Sequence, residues 1–150
     1  MTNLAVLLPQ VLPGAISWAE EQERQALATG AALSPQGIAD ARTVGVLAPE
    51  KIRVVVAPAL PLPDDEWLRK VALSTGLLGP NFAGLTLGYA IFIVLGHSTR
   101  QLLTHECRHV YQYEVAGSIA AFMPTYLGQI ATVGYNDAPF EVDARQHEIL

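Results

Sequence analysis

The sequence predicts a single α+β domain in which helices pack against a small sheet. Its 150 residues have the length of one domain, 1–150, and 51% of them are hydrophobic against 15% charged, so the chain can bury a core and is not disordered. Local signals predict helices first, then two strand segments, then helices again. Helices and strands that are segregated in this way favour an α+β arrangement over an alternating α/β fold.

The N-terminal part of the chain combines an apolar stretch with a helix signal. Ser17 and Glu20 have the spacing of a capping box, which predicts a helix over residues 17–29. Pro9 and Pro13 are expected to break the apolar stretch before it, because proline removes a backbone donor and clashes with the preceding turn. The uncharged N-terminus is therefore a candidate surface for weak contact with a membrane or a partner protein.

Two further helices and a strand are predicted before residue 80. Pro35 follows a serine and marks the first turn of a helix that stops near residue 45. The β-branched residues over 52–57 lie between prolines and predict a strand. An aspartate at position 64 or 65 caps a short helix that extends to about residue 73.

Residues 84–94 suit a single strand with alternate side chains on its two faces. One face is predicted to carry the larger side chains, which are those of Leu85, Leu87, Tyr89, Ile91 and Ile93. The other face carries the small residues Thr86, Gly88 and Ala90. Small residues there indicate either an ordinary buried strand or a strand whose backbone another group approaches closely.

The last third of the chain is predicted to be helical. Ser98 and Gln101 form a possible capping box, which predicts a helix over residues 99–116. Ser118 begins another helix, which Pro124 is expected to disturb. After a turn, a proline begins the last helix, which is expected to extend to the C-terminus.

Composition and charge exclude several classes of function and location. A net charge of -5 with no block of like charges argues against binding to nucleic acid. The single cysteine, Cys107, excludes a disulfide within one copy of the chain. The apolar run over residues 81–96 is shorter than the ~20 residues that a membrane-spanning helix needs. We therefore expect a cytoplasmic protein without a membrane span.

The chemistry of the chain is concentrated in His105-Glu106-Cys107-Arg108-His109, which has the pattern H-E-x-x-H. On a helix, positions four apart differ by about 40° around the axis, so the two histidines project from one face and can grip one metal ion. Zinc favours nitrogen and oxygen ligands in tetrahedral geometry. Glu106 lies beside that face and can accept a proton from zinc-bound water.

The helix that carries this motif is amphipathic. Leu103, Cys107 and Val110 form a stripe on the side opposite the histidines, which predicts that the stripe is buried and that the histidines line a cleft. The strand predicted over residues 84–94 precedes the helix and is a candidate for the edge of that cleft.

Two histidines leave the metal site short of a third protein ligand. The acidic residues that follow the motif are Glu114, Asp137, Glu141, Asp143 and Glu148. Glu114 lies about 180° from His105 on the same helix and should point away, and the aspartate in the turn would be held less rigidly. Glu141 is favoured over Asp143, because the small Ala144 lets the last helix pack closely against the motif helix. Glu141 and Asp143 are about 200° apart and cannot both face the metal.

Together with Glu141-Val142-Asp143-Ala144, the motif resembles the gluzincin branch of the zincin metallopeptidases, which pairs H-E-x-x-H with a later E-x-x-A on a second helix. The short chain is similar in size to the minigluzincins, which are minimal single-domain members. Residues 105–145 resemble small bacterial zincin-like domains of poorly defined function. The resemblance covers the last third of the chain well, is weaker over residues 84–94 and is vague before residue 80.

This resemblance implies a small zincin-like domain, in which N-terminal helices and a small sheet pack on the motif helix and a C-terminal helix carries a ligand. It implies His105, His109 and Glu141 as ligands of Zn²⁺ and Glu106 as the general base. Of the tyrosines, Tyr135 is the expected oxyanion stabiliser. Larger gluzincins often carry an aspartate four residues after the ligand glutamate, where this chain has an arginine, so the hydrogen bond that orients a ligand histidine must come from elsewhere.

Two functions from different classes follow from this reading. The first is a zinc-dependent hydrolase that cleaves a peptide or protein substrate by a metal-activated water, with Glu106 as the base. The alternative is a non-catalytic zinc-binding module for protein–protein interaction. Glu106 favours the first, because a structural zinc site needs no base and more often uses four protein ligands. A third possibility is a metal-free domain with an accidental motif. Gln112 is either a residue of the site or an ordinary solvated glutamine.

Overall fold

A computed structural model describes residues 3–77 and 82–150 of the chain. Within these ranges the chain forms a small α+β domain with a three-stranded mixed sheet, which confirms the predicted fold class. The helices are α1 (Leu4–Thr29), α2 (Pro35–Thr43), α3 (Glu66–Ser74), α4 (Arg100–Ala116), α5 (Ile119–Val133) and α6 (Pro139–Gln146). The strands are β1 (Arg53–Ala57), β2 (Gly84–Leu87) and β3 (Ala90–Val94), and a 3-10 turn at Pro49–Lys51 precedes β1. None of the helices formed by the described residues is long and apolar enough to cross a membrane.

The N-terminal helix begins much earlier than the sequence predicts. Asn3 caps it by accepting a hydrogen bond from the amide of Ala5 at 3.0 Å, and the helix continues through Pro9 and Pro13. The predicted start at Ser17 is therefore wrong, and Ser17 lies exposed in the middle of α1. Packing outweighs the two missing backbone donors, because α1 buries a long stripe made of Leu4, Val11, Ala15, Ala19 and Ala26. Contact of this segment with a membrane or a partner stays a prediction.

Residues 84–94 form a hairpin, so the prediction of one continuous strand is wrong. Gly88 has a φ of +66°, and a Cβ at this position would collide with the carboxylate of Glu23. That carboxylate accepts a hydrogen bond from the amide of Tyr89 at 2.9 Å. Only glycine fits such a turn, and the reversal pairs Leu87 with Ala90.

The strand order is β1-β3-β2, with β1 parallel and β2 antiparallel to β3. The face of the sheet that carries Leu87, Ala90 and Phe92 packs with α1, α3 and α5 in the larger hydrophobic cluster. Ile91 and Ile93 belong to a smaller cluster, whose other buried members come from α2, from residues 44–52 and from α4. The sheet therefore separates the N-terminal helix from the helix that carries the motif.

The motif helix is held as the amphipathic pattern predicts. Cys107 and Val110 are fully buried in the smaller cluster, and Leu103 is half-buried against it. The helix after it, α5, continues through Pro124 instead of being disturbed there. The last helix ends at Gln146 and not at the C-terminus. The final residues return to α4, where the amide of Ile149 donates to the hydroxyl of Thr104 at 2.9 Å.

Candidate metal centre

Helix α4 begins and ends at residues suited to those positions. Thr99, not Ser98, caps it, because the Thr99 hydroxyl accepts a hydrogen bond from the amide of Leu102 at 3.1 Å. Gly117 ends it with a φ of +99°, a left-handed conformation that favours glycine. His105 and His109 therefore lie in the regular middle of the helix, where residues four apart share one face.

The two histidines and Glu141 of α6 form one compact group. His105 Nε2 lies 3.1 Å from Glu141 Oε1, and His109 Nε2 lies 3.0 Å from Glu141 Oε2. One ligand atom from each residue lies within 4.8 Å of the others. Ligand atoms placed tetrahedrally around zinc at about 2.0–2.1 Å would be roughly 3.3 Å apart. All three residues are buried, so this group could hold a metal ion away from bulk solvent.

Helix α6 presents Glu141 to the group and Asp143 elsewhere. Pro139 occupies the first turn of α6, and Ala144 is fully buried, as its small size against α4 predicts. Asp143 accepts hydrogen bonds from Arg108 at 2.7 and 3.2 Å. The structure therefore places Glu141, and not Asp143, beside the two histidines. Glu114 points away, as expected, and accepts hydrogen bonds from the backbone amides of residues 47 and 48.

The outer nitrogen of each histidine has its own acceptor. His105 Nδ1 lies 2.8 Å from the carboxylate of Glu148, which comes from the C-terminal tail. His109 Nδ1 lies 2.7 Å from Gln112 Oε1. The orientation of the Gln112 amide is fixed, because its Nε2 donates to the Phe140 carbonyl at 3.0 Å and to Asp143 at 2.9 Å. Oxygen therefore faces His109, and His109 Nδ1 must be the donor.

This arrangement fits the donor set that a metal requires. If the only proton of His109 is on Nδ1, as in a neutral ring that binds a metal, the lone pair of Nε2 points towards a carboxylate oxygen of Glu141. Two electron-rich atoms at 3.0 Å repel each other unless a cation lies between them. The same holds for His105, whose Nδ1 faces a carboxylate. Pairs of this kind, in which the second ring nitrogen donates to a carboxylate or carbonyl group, are typical of metal-ligating histidines.

The close approach of these three residues also shifts their pKa values. Burial lowers the pKa of His105, but Glu141 and the charge of Glu106 outweigh burial and raise that pKa to about 9. For His109, burial again opposes Glu141, and the pKa is raised. Burial raises the pKa of Glu141, yet the two histidines bring it well below its ordinary value. In the metal-free protein, protons would therefore supply the positive charge that Glu141 needs.

Glu106 lies against β2 beside the histidines. The Thr86 hydroxyl donates to Glu106 Oε1 at 2.8 Å, and a Cβ on Gly84 would lie 2.8 Å from Glu106 Oε2. Gly84 and Thr86 thus leave room for the carboxylate, which explains why a small residue occupies each of these two positions of β2. Burial raises the pKa of Glu106, against the opposing charges of the histidines. The raised pKa makes this carboxylate a stronger base, and a basic carboxylate beside a metal ion is suited to accept and release a proton.

An apolar cavity of about 90 Å³ adjoins the group, and Glu106, His109 and Glu141 contribute to its wall. Tyr135, the expected oxyanion donor, lines this cavity and stacks on Phe82 with ring centroids 4.7 Å apart. Tyr126 donates to Glu141 Oε2 at 2.7 Å. Burial raises the pKa of both phenols, so each keeps its proton and can donate a hydrogen bond.

Three residues of the site were missed or left open by the sequence. Gln112 lies three positions after His109, which is a neighbouring position on a helix, so its role could have been found from spacing. Tyr126 and Glu148 belong to other segments, and no local pattern connects them with the motif. His147 does not belong to the group and lies at hydrogen-bonding distance from the carbonyl of Asp143.

No model of a known protein family matches this chain, and no curated protein or solved structure is similar to it.

Proposed function

We propose that this protein is a zinc-dependent hydrolase that cleaves peptide bonds in a peptide or protein substrate. The observation that carries the proposal is the position of Glu106. Its buried carboxylate lies on the wall of the cavity that His109 and Glu141 also line. A structural metal site has no use for a buried carboxylate of this kind, since it costs free energy to desolvate.

Each residue of the group has a role in this proposal. His105, His109 and Glu141 would hold Zn²⁺, whose nitrogen and oxygen preference they meet. Bound there, zinc supplies Lewis acidity and lowers the pKa of a water molecule. Glu106 accepts the proton of the attacking water and passes it to the leaving amine. The phenols that line the same cavity are Tyr113, Tyr126 and Tyr135, and of these Tyr135 is the proposed donor to the oxyanion.

The test begins with the metal. Purified protein should contain about one zinc per chain, and His105→Ala and His109→Ala should each lose most of it, measured by elemental analysis. Full zinc content in both variants would reject the site. The test continues with Glu106→Gln, which keeps the shape of the side chain but cannot take up a proton near neutral pH.

Glu106→Gln should retain zinc and lose about 10²–10⁴-fold in the rate of cleavage of a fluorogenic peptide library. Glu20→Gln, an exposed change on α1, is the matched control and should cleave as the wild type does. Equal rates for Glu106→Gln and the wild type would contradict the role of Glu106. Zinc-loaded wild type without any cleavage would instead support the alternative, a zinc-binding module that acts in protein–protein interaction.

A further inference from the structure

The cavity beside the metal group extends into the apolar interior of the domain. Beyond Glu106, His109 and Glu141, its wall is formed chiefly by residues of α1, α3, β2 and α5, with further residues from α4 and from the connecting segments. The apolar part of this wall includes Val11, Ala15, Leu68, Ala72, Leu85 and Phe122. Its volume of about 90 Å³ is several times the ~10–15 Å³ that one water molecule needs. A group of about the size of a leucine or phenylalanine side chain would fit.

One residue of this wall has a buried polar atom without a partner. Among the buried side-chain nitrogen and oxygen atoms of residues 3–77 and 82–150, Trp18 Nε1 is the one without a hydrogen-bond partner. Trp18 lines the cavity, and its indole N–H can act only as a donor. Buried donors in folded proteins almost always have an acceptor, so a ligand that fills the cavity would be expected to bring one.

We propose that the cavity is the specificity pocket of the site, and that it receives a substrate group which is apolar, of leucine or phenylalanine size, and carries one hydrogen-bond acceptor for Trp18. This inference rests on the proposed function for the position of the cleaved bond. The occupant follows from two observations that are independent of the reaction, which are the apolar wall and the unused indole N–H. Because Glu106, His109 and Glu141 form part of the same wall, a substrate group in the cavity would lie next to the carbonyl that is attacked.

Hydroxamic acids of increasing chain length test the pocket without requiring turnover. The hydroxamate group chelates zinc, and the acyl chain enters the cavity. From acetohydroxamate to hexanohydroxamate, the Kd for the zinc-loaded protein should fall about fourfold per methylene until the cavity is full, the factor expected for burial of a CH₂ group. A Kd that varies less than twofold over the series would overturn the inference. Zinc content and acetohydroxamate binding report separately on the metal site, so failure of the pocket and failure of the site are distinguishable.

Substitutions in the wall provide the second readout. Ala15→Leu on α1 should weaken hexanohydroxamate at least tenfold and leave acetohydroxamate unchanged, because it fills the cavity. Ala72→Leu repeats the test from α3. The control is Ala28→Leu, which makes the same change at an exposed position of α1 and should bind both probes as the wild type does. Should both wall variants retain wild-type affinities for the whole series, the cavity is not the binding pocket.

Trp18→Phe tests the acceptor. Probes in which one methylene of the hexanoyl chain is replaced by an ether oxygen, at each position in turn, should include one that binds the wild type about as well as hexanohydroxamate. That probe should bind Trp18→Phe at least fivefold more weakly than the wild type, whereas hexanohydroxamate should bind the two proteins equally well. If each ether probe binds the wild type and Trp18→Phe with the same affinity, Trp18 has no part in recognition and the proposed acceptor is wrong.

Discussion

Replacing Glu148 by alanine should weaken zinc binding although Glu148 is not a candidate ligand. Its carboxylate lies 2.8 Å from His105 Nδ1 and is itself held by Gln101 Nε2 at 2.7 Å. The hydrogen bond from the imidazole to the carboxylate fixes the ring and keeps the lone pair of Nε2 directed at the metal. Without the carboxylate, His105 is free to adopt the other tautomer or another orientation.

The expected loss is about 10–100-fold in zinc affinity, the usual effect of removing such a partner. This corresponds to about 1.4–2.7 kcal/mol of binding free energy. Glu148→Gln should lose less, because an amide oxygen can still accept from Nδ1, as Gln112 does for His109. Since the carboxylate is about one-fifth exposed, we expect values near the lower end of the range.

Zinc affinity is measured by competition with a chromogenic chelator at one pH and ionic strength. Glu20→Ala removes the same charge from an exposed position of α1 and corrects for the change in net charge. A second readout is the pKa of His105 in the zinc-free protein, followed by NMR, which should fall in Glu148→Ala because the carboxylate contributes to its elevation to about 9. If Glu148→Ala binds zinc as tightly as Glu20→Ala does, the carboxylate does not position His105.

Three further predictions follow from the same contacts. A protonated His105 stabilises the zinc-free fold fully below its ordinary pKa of 6.5, and this stabilisation disappears as pH rises through about 9. The difference in Tm between zinc-loaded and chelated protein should therefore grow from pH 6.5 to 9. A difference that stays constant in calorimetry would contradict this. Gly84→Ala should keep zinc but slow peptide cleavage, because the new Cβ would lie 2.8 Å from Glu106 Oε2; unchanged cleavage would show that the position of Glu106 is not critical. Arg108→Met should lower the free energy of unfolding in urea by about 2 kcal/mol, since it leaves the partly buried Asp143 without its cation; a change below about 0.5 kcal/mol would place this pair among weak surface contacts.

Local patterns predicted the helix that carries the motif and the helix that carries Glu141, because their determinants are close in sequence. The H-E-x-x-H spacing puts both histidines on one face of a helix, and the burial of Cys107 and Val110 follows from the same periodicity. Glu141 was favoured over Asp143 because the small Ala144 lets α6 pack closely against α4, and the angle between the two acidic residues allows only one of them to face the histidines. The structure places Glu141 beside the histidines and Asp143 on Arg108. Features of this kind need no knowledge of the rest of the fold.

The errors concern residues whose conformation depends on distant partners. Pro9 and Pro13 would end an isolated helix, but α1 continues through them because its apolar side lies on the sheet and on α5. The turn at Gly88 depends on Glu23, which is 65 positions earlier in the chain and accepts from the amide of Tyr89. Neither contact can be read from a window of local sequence, so the helix start and the hairpin were both missed.

The same two turns of α4 carry the two candidate histidine ligands and contact α6, the helix that carries the third candidate, Glu141. Gln112 accepts from His109 and donates to the Phe140 carbonyl and to Asp143, so one amide fixes both the histidine tautomer and the position of α6. A shift of α6 would move Glu141 and release His109 together.

The buried carboxylates also connect the stability of the fold with metal binding. Glu106 and Glu141 are both buried, at 4% and 1% exposure, and two carboxylates in an apolar interior repel each other and lose their hydration. A divalent cation held by His105, His109 and Glu141 would balance these two charges. In its absence the same balance requires two protons, which explains why the pKa values of both histidines are raised. Metal binding at neutral pH should therefore release protons from the protein, and His105, whose pKa is raised to about 9, should contribute about one proton per zinc. Calorimetry in buffers of different ionisation enthalpy measures the number released, and binding without proton release would contradict this account.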